Sequence, residues 1–346
     1  MIQARRIRIE KPGDYDVLRL EAFAIGAPRP NQVLIEVAAA GVNYADGIIR
    51  MGLYESAKKL HGYPITPGFE VSGRVLEVGA AVRRFKAGDE VVALTLFDGY
   101  SSHLLLEHDR VFARPASLSF DQAAAVPTVF LTAWFMVHEL AHARAGERWL
   151  VHSAAGGVGG ALAQLGRLAG CEVTGVVGHA DKAGAARAAG CTHVIDKAGE
   201  DLWRRAEAIT PGGFDAIFDA NGVSTLGQSY RHLAPTGRLC VFGFASMLPR
   251  GRGVPQWPRL AWDWLRTPRF NPLDMTRRNR SVIACNLSFL SAQGPRLIRG
   301  MEWLLPRFAS GELAPPPVTA YALGDAARAQ AAIESGRTVG KLVLHP

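Results

Sequence analysis

Trp149-Leu150-Val151-His152-Ser153-Ala154-Ala155-Gly156-Gly157-Val158-Gly159-Gly160-Ala161-Leu162-Ala163-Gln164-Leu165 is the stretch on which the reading of the fold turns. Residues 149–153 read as a short apolar strand, and 159–170 as a helix with small residues on its packing face. A glycine-rich turn between a strand and a helix is the context that a dinucleotide fingerprint requires. Read as G-x-G-x-x-G, the run has Ala154 at its first position. Gly156 would let the backbone approach a pyrophosphate, and Gly159 would let the helix pack closely on the strand. Ala155, Gly157 and Val158 complete the turn, whose helix N-terminus offers N–H groups and a positive dipole end. The competing reading is a helix-packing glycine run without a ligand.

Working outward, strand and helix signals alternate downstream. CEVTGVV (171–177), HVID (193–196), AIFDA (216–220) and RLCVFGF (238–244) read as strands, separated by helices at 181–189, 202–209 and 226–233. Such alternation implies right-handed crossovers and a parallel sheet. An NAD site normally ends the second strand with Asp or Glu to hold the ribose diol. Gly178 occupies that place, with Asp181 and Lys182 just beyond, a pattern that suits a 2′-phosphate and hence NADPH. Lys182 on a solvated helix face is the alternative.

Upstream, residues 2–125 read as short strands broken by Gly, Pro and Asp, a β-rich domain. Beyond Phe244 lies a Pro-, Arg- and Trp-rich stretch to Arg280, then a strand from Ser281, a helix at 296–310, a helix beginning at Asp325 and a closing strand KLVLH.

With 346 residues, 48% hydrophobic and 20% charged, the chain is globular and long enough for two cores. The net charge of +8 comes mostly from scattered arginine, which argues against a nucleic-acid partner. Cys171, Cys191, Cys240 and Cys285 are far apart and suit neither a metal knuckle nor a disulfide framework. The opening MIQARRIRIEK lacks an apolar signal core, and no run reaches the ~18 uncharged apolar residues of a membrane span, so a cytoplasmic protein is expected.

Four further motifs accompany the glycine turn. They are Ala40-Gly41-Val42-Asn43-Tyr44-Ala45-Asp46, Arg50-Met51-Gly52-Leu53-Tyr54, Pro67-Gly68-Phe69-Glu70-Val71-Ser72-Gly73 and Ala87-Gly88-Asp89-Glu90-Val91. In this order they resemble the medium-chain dehydrogenase/reductase superfamily over essentially the whole chain, and within it the zinc-free quinone oxidoreductase group. Thr338-Val339-Gly340-Lys341 with Asn279-Arg280 resembles the vesicle amine transport protein homologues.

The resemblance implies an α/β fold: a doubly wound parallel Rossmann sheet at 128–288 and a GroES-like β-rich catalytic domain split between 1–127 and 289–346. It implies NADPH contacts from Asn43, Thr132, Gly178, Lys182, Asn221, Gly243, Phe244, Gly340 and Lys341, and catalytic roles for Asn43 beside the nicotinamide and for Tyr54 as a proton donor. Zinc-dependent relatives place Cys where Asn43 stands and His where Phe69 stands, so no metal is expected. Without a Lewis acid, an already activated acceptor is the natural substrate, a quinone or an α,β-unsaturated carbonyl. An enoyl-thioester reductase and an NADPH-responsive lipid-binding or structural protein are the alternatives. A homodimer formed through edge strands of the nucleotide domain is also implied.

Several residues have plainer readings. Asn43 also suits a turn residue that holds the backbone with its side chain, and Tyr54 a surface loop. Lys197, where related bacterial reductases often carry tyrosine, would assist a phosphate or merely be exposed. His138-Glu139-Leu140-Ala141-His142 matches the H-E-x-x-H string of zinc proteases, with no evident third ligand. Residues 250–280 hold eight arginines with Trp257, Trp262 and Trp264. That mix suits weak contact with an anionic membrane, or, as the favoured reading, a lid or dimer arm whose tryptophans are buried.

Overall fold

The strand Gln32–Val42 organises the first unit. It pairs antiparallel with Glu70–Val78, with His103–Glu107 and with the chain's closing strand Lys341–His345, in the register Leu342↔Val42 and Leu344↔Ala40. Its side chains are almost continuously buried, because both faces of the strand are covered. The computed structural model describes residues 1–248 and 253–346, which form two units. The first comprises Met1–Leu131, 253–254 and Ser288–Pro346, and the second Thr132 to 248 and Pro255–Leu287. A seven-stranded sheet and the hairpin of Ile2–Arg8 with Arg19–Ile25 build the first unit.

The two chain segments of this unit are also joined away from the sheet. Arg50, at the end of the helix Tyr44–Arg50, is fully buried and donates to Gln330 Oε1 at 2.8 Å and Glu334 Oε1 at 2.8 Å on the helix Ala326–Glu334. It also donates to the carbonyls of Gly13 and Gly253. The other Glu334 oxygen accepts from Tyr15 Oη at 2.6 Å, and the Tyr15 ring lies 4.2 Å from the guanidinium carbon. A charge taken so far from water is tolerated only because its donors are matched in this way.

The second unit holds a six-stranded parallel sheet in the spatial order His193–Asp196, Glu172–Val177, Arg148–His152, Phe214–Asp219, Leu233–Val241, Ser281–Ala284. Counted along the unit this is 3-2-1-4-5-6, the doubly wound order, with its switch point between Arg148–His152 and Phe214–Asp219. Ser281–Ala284 forms one edge. The alternation read from the sequence is therefore realised, although the second strand to last begins at Leu233, earlier than its apolar run suggested.

One discounted alternative falls and one expectation is narrowed. Phe135–Leu140 is a π-helix and His142 adopts a left-handed φ of 50°, so the H-E-x-x-H string does not present two imidazoles on one α-helical face. Trp257, Trp262 and Trp264 of the helix Trp257–Arg266 are 60–65% exposed within the chain, so a lid folded on this chain does not bury them, whereas a dimer arm would bury them against a second copy. Among the described residues no helix is long and apolar enough to cross a membrane.

Arg50→Met leaves Glu334 buried without its cation and is expected to cost about 3–5 kcal/mol in urea unfolding. Arg50→Met combined with Glu334→Leu should recover most of that loss. A single substitution within ~0.5 kcal/mol of the wild type would show that this network is not a tie.

Candidate active site

The strand Arg148–His152 ends at Ser153, whose φ of 57° turns the chain into the helix Gly157–Leu168, with Gly156 at its N-cap. The helix lies so close to the turn that a β-carbon on Gly159 would stand 2.2 Å from the Ser153 carbonyl oxygen. The amides at the start of the helix have no carbonyl one turn back to bond, so they are left for a ligand. Ala154, where the fingerprint has glycine, is accommodated from the neighbouring strand: a β-carbon on Gly175 would stand 2.8 Å from Ala154 Cβ. The missing methyl has moved from one strand to the next.

Gly178 follows the strand Glu172–Val177 with open space around its α-carbon. Lys182 is buried rather than solvated, and burial pushes its ammonium pKa down, with Asp181 opposing. Lys197 is exposed. Thr132 is half-buried on the helix Pro127–Trp134.

At the carboxyl end of Phe214–Asp219 lies a network that sequence reading did not find. Asp219 is fully buried; Oδ1 accepts the amides of Asn221 at 2.8 Å and Gly222 at 3.1 Å, and Oδ2 accepts the hydroxyls of Thr225 at 2.7 Å and Ser229 at 2.8 Å. His152, from the end of the strand beside it, lies 3.2 Å from Ser229 Oγ, and burial lowers its pKa. The carboxylate thus shapes the loop carrying Asn221, whose Nδ2 is buried with no hydrogen-bond partner. Gly222 packs against Phe244, and Gly243 against Ala220. A donor left unmet at the carboxyl edge of a doubly wound sheet is what a polar cofactor would satisfy.

In the first unit, Asn43 heads the helix Tyr44–Arg50 and is 7% exposed. Its backbone N–H donates to Asp46 Oδ2 at 2.7 Å, which closes the first turn of the helix as a capping box. The Asn43 side chain also donates from Nδ2 to Glu70 Oε1 at 2.9 Å and accepts at Oδ1 from Lys341 Nζ at 2.5 Å. Lys341 Nζ also lies 2.6 Å from Glu70 Oε1, and Glu70 Oε2 accepts the Thr128 amide at 2.6 Å. Lys341 is therefore committed to a buried ion pair. Gly340 before it runs against the chain at Pro317, where a β-carbon would meet the carbonyl oxygen at 2.2 Å.

Asp46 has no exposed surface, and desolvation raises its carboxyl to about 7, against the donors Asn43 N, Tyr100 Oη and Gly68 N. Tyr54 is half-buried rather than on a surface loop. Its hydroxyl lies 2.7 Å from Ser288 Oγ, and its ring meets Phe69 edge-on at 6.0 Å.

The chain is similar to known proteins over nearly its whole length. Residues 29–132 match the alcohol dehydrogenase GroES-like domain and residues 157–295 the zinc-binding dehydrogenase domain. The synaptic vesicle membrane protein VAT-1 homolog of Rattus norvegicus is 30% identical over 96% of this chain and 82% of that protein. The chain belongs to the medium-chain dehydrogenase/reductase family, in its zinc-free quinone oxidoreductase group. Escherichia coli quinone oxidoreductase complexed with NADPH superposes with a TM-score of 0.85 at 30% identity, over 99% of this chain and 100% of that one. CurK enoyl reductase superposes with a TM-score of 0.85 at 27% identity over 99% of each chain.

Membership makes the chain an oxidoreductase, and the donor set bears on the metal that the domain name mentions. Phe69 packs in the apolar cluster with Ile49, Ile65 and Phe97, and the Asn43 amide is taken by Glu70 and Lys341. Among the described residues no three His, Cys, Asp or Glu side chains gather as a metal ion would need. The positive partner of Glu70 is the Lys341 ammonium.

Sequence reading singled out Asn43, Lys341 and Tyr54 but missed Asp46, Glu70, Asp219 and Ser288. Asp46 had a local signal, an acidic residue three after an N-cap asparagine. Ser288 had none, being 234 residues from its partner.

The folded Asp46 carboxyl titrates near 7 against an ordinary 3.8, so its proton favours the folded state fully below the lower value. That contribution is lost as pH rises through about 7. The melting temperature of the wild type is expected to fall between pH 6 and 8 relative to Asp46→Asn; parallel profiles would contradict the assignment.

Proposed function

We propose that this chain is an NADPH-dependent, metal-independent reductase that delivers hydride to a quinone or an α,β-unsaturated carbonyl. The observation that carries the reading is the nucleotide unit's polar inventory. It has a glycine turn closing on a helix N-terminus, Gly178 where a diol-binding acid would stand, and a buried Lys182 beyond it.

The residues present fit the dinucleotide. Ala155 to Gly159 would hold the pyrophosphate through backbone amides, and Lys182 the 2′-phosphate, whose charge offsets the desolvation of its ammonium. Asn221 would give its unmet Nδ2–H to the cofactor, with Thr132, Gly243 and Phe244 as further contacts. Bound NADPH supplies the hydride. The chain's own groups orient and exclude water, because an acceptor that carries its own electron sink needs positioning more than polarisation. The Asn43 amide, fixed by the Lys341–Glu70 pair, presents a rigid dipole, and Gly340 sets the backbone that brings Lys341 to it.

A second reading, enoyl-thioester reduction, is supported by Tyr54. A half-buried phenol bonded to Ser288 Oγ can hold a proton at Oη for a carbanion-like acceptor, which a quinone does not require.

NADPH is expected to raise the melting temperature more than NADH at equal concentration. Lys182→Ala should weaken NADPH by roughly 10- to 100-fold in calorimetry while leaving NADH unchanged; equal responses to both nucleotides would defeat the cofactor assignment. Steady-state assays of Tyr54→Phe separate the substrates. Enoyl-thioester turnover should drop by about 10²-fold or more with quinone turnover retained, and equal retention of both would remove Tyr54 as a proton donor.

A further inference from the structure

The parallel sheet has two ends, and its nucleotide turn lies at one of them. At the other, where the strands Leu233–Val241 and Ser281–Ala284 begin, there is a surface pocket of about 290 Å3. Four guanidinium groups line it, those of Arg231, Arg269, Arg278 and Arg280, against the single carboxylate of Asp274. That carboxylate is already engaged: Arg278 Nε lies 2.9 Å and Arg277 3.1 Å from its Oδ1, and Tyr230 Oη lies 3.3 Å from its Oδ2. Among the described residues no ion pair reaches Arg231, Arg269 or Arg280.

Arg280 is the most constrained of the four. One NH group donates to the Tyr230 carbonyl at 3.0 Å, its guanidinium carbon lies 5.6 Å from the Tyr230 ring centroid, and its Nε is buried with no hydrogen-bond partner. Burial first, and then the nearby charge of Arg278, push its pKa down, with Tyr230 and Asp274 opposing. The chain is built to keep this crowding. Asn271 caps the helix Pro272–Arg278 through its side chain, and Asn279 turns left-handed with φ 52° so that Arg280 returns toward Tyr230.

We propose that this pocket is a binding site for a phosphomonoester or pyrophosphate group, separate from the nucleotide turn. Planar guanidiniums match phosphate oxygens in pairs, and a dianion relieves both the mutual repulsion and the unmet Nε–H. A monocarboxylate carries too little charge for four arginines. The volume suits a phosphate with a small substituent rather than a whole dinucleotide.

The test is titration calorimetry of the full-length chain with inorganic pyrophosphate, with and without saturating NADP⁺. Binding should persist with NADP⁺ present. It should weaken by roughly tenfold for each arginine removed in Arg231→Gln and Arg269→Gln, both exposed, with unchanged melting temperature. Loss of all binding when NADP⁺ is added, or identical affinity in the double variant, would place pyrophosphate elsewhere and overturn the proposal. A second arm sediments the chain with vesicles of phosphatidylcholine containing phosphatidic acid. Co-sedimentation lost in the double variant, without heat from pyrophosphate, identifies the phosphomonoester as a lipid headgroup. Neither heat nor substitution-sensitive sedimentation refutes the site.

Discussion

The contact between Gly159 and the Ser153 carbonyl constrains the nucleotide unit more than any other. A helix can aim its first amides at a ligand only if it starts directly over the end of the strand, and a side chain at that point would lift it away. The closeness is shared by two strands, since Gly175 makes room for Ala154. Sequence departures from the glycine fingerprint are therefore tolerable when the lost space is supplied by a neighbour. The chemistry of the turn lies in its backbone, which is why its side chains are nearly featureless.

Each unit also carries a buried carboxylate that works through others. Asp219 gathers two amides and two hydroxyls and so fixes the loop that presents Asn221. Glu70 gathers an ammonium and two N–H donors and so fixes the Asn43 amide. Their burial is affordable because nearly every oxygen is met. Such groups hold a rigid polar surface at little entropic cost when a ligand arrives, which is the condition for electrostatic preorganisation.

Asn43 and Phe69 offer no good zinc ligand, and that changes what these networks are for. A metal site would concentrate the chemistry at one ion, whereas here Asn43 is tied to an ammonium and Phe69 to an apolar cluster. Polarising power of that kind is modest beside that of a metal ion.

By itself the sequence determined what depends on local period and on backbone sterics. The alternating strands and helices, the turn at 154–159, the β-rich first segment and the existence of a closing strand were all legible, because period and glycine placement are local properties. The partners of the buried charges were decided only by tertiary structure. Lys341 meets Glu70 from the far end of the chain and Arg50 meets Glu334 across 284 residues, and no local signal announces which charge will neutralise which. The same holds for the buried Lys182, the exposed tryptophans of Trp257–Arg266 and the π-helix at Phe135–Leu140, since burial and helix pitch there are set by what the chain packs against rather than by its own order of residues.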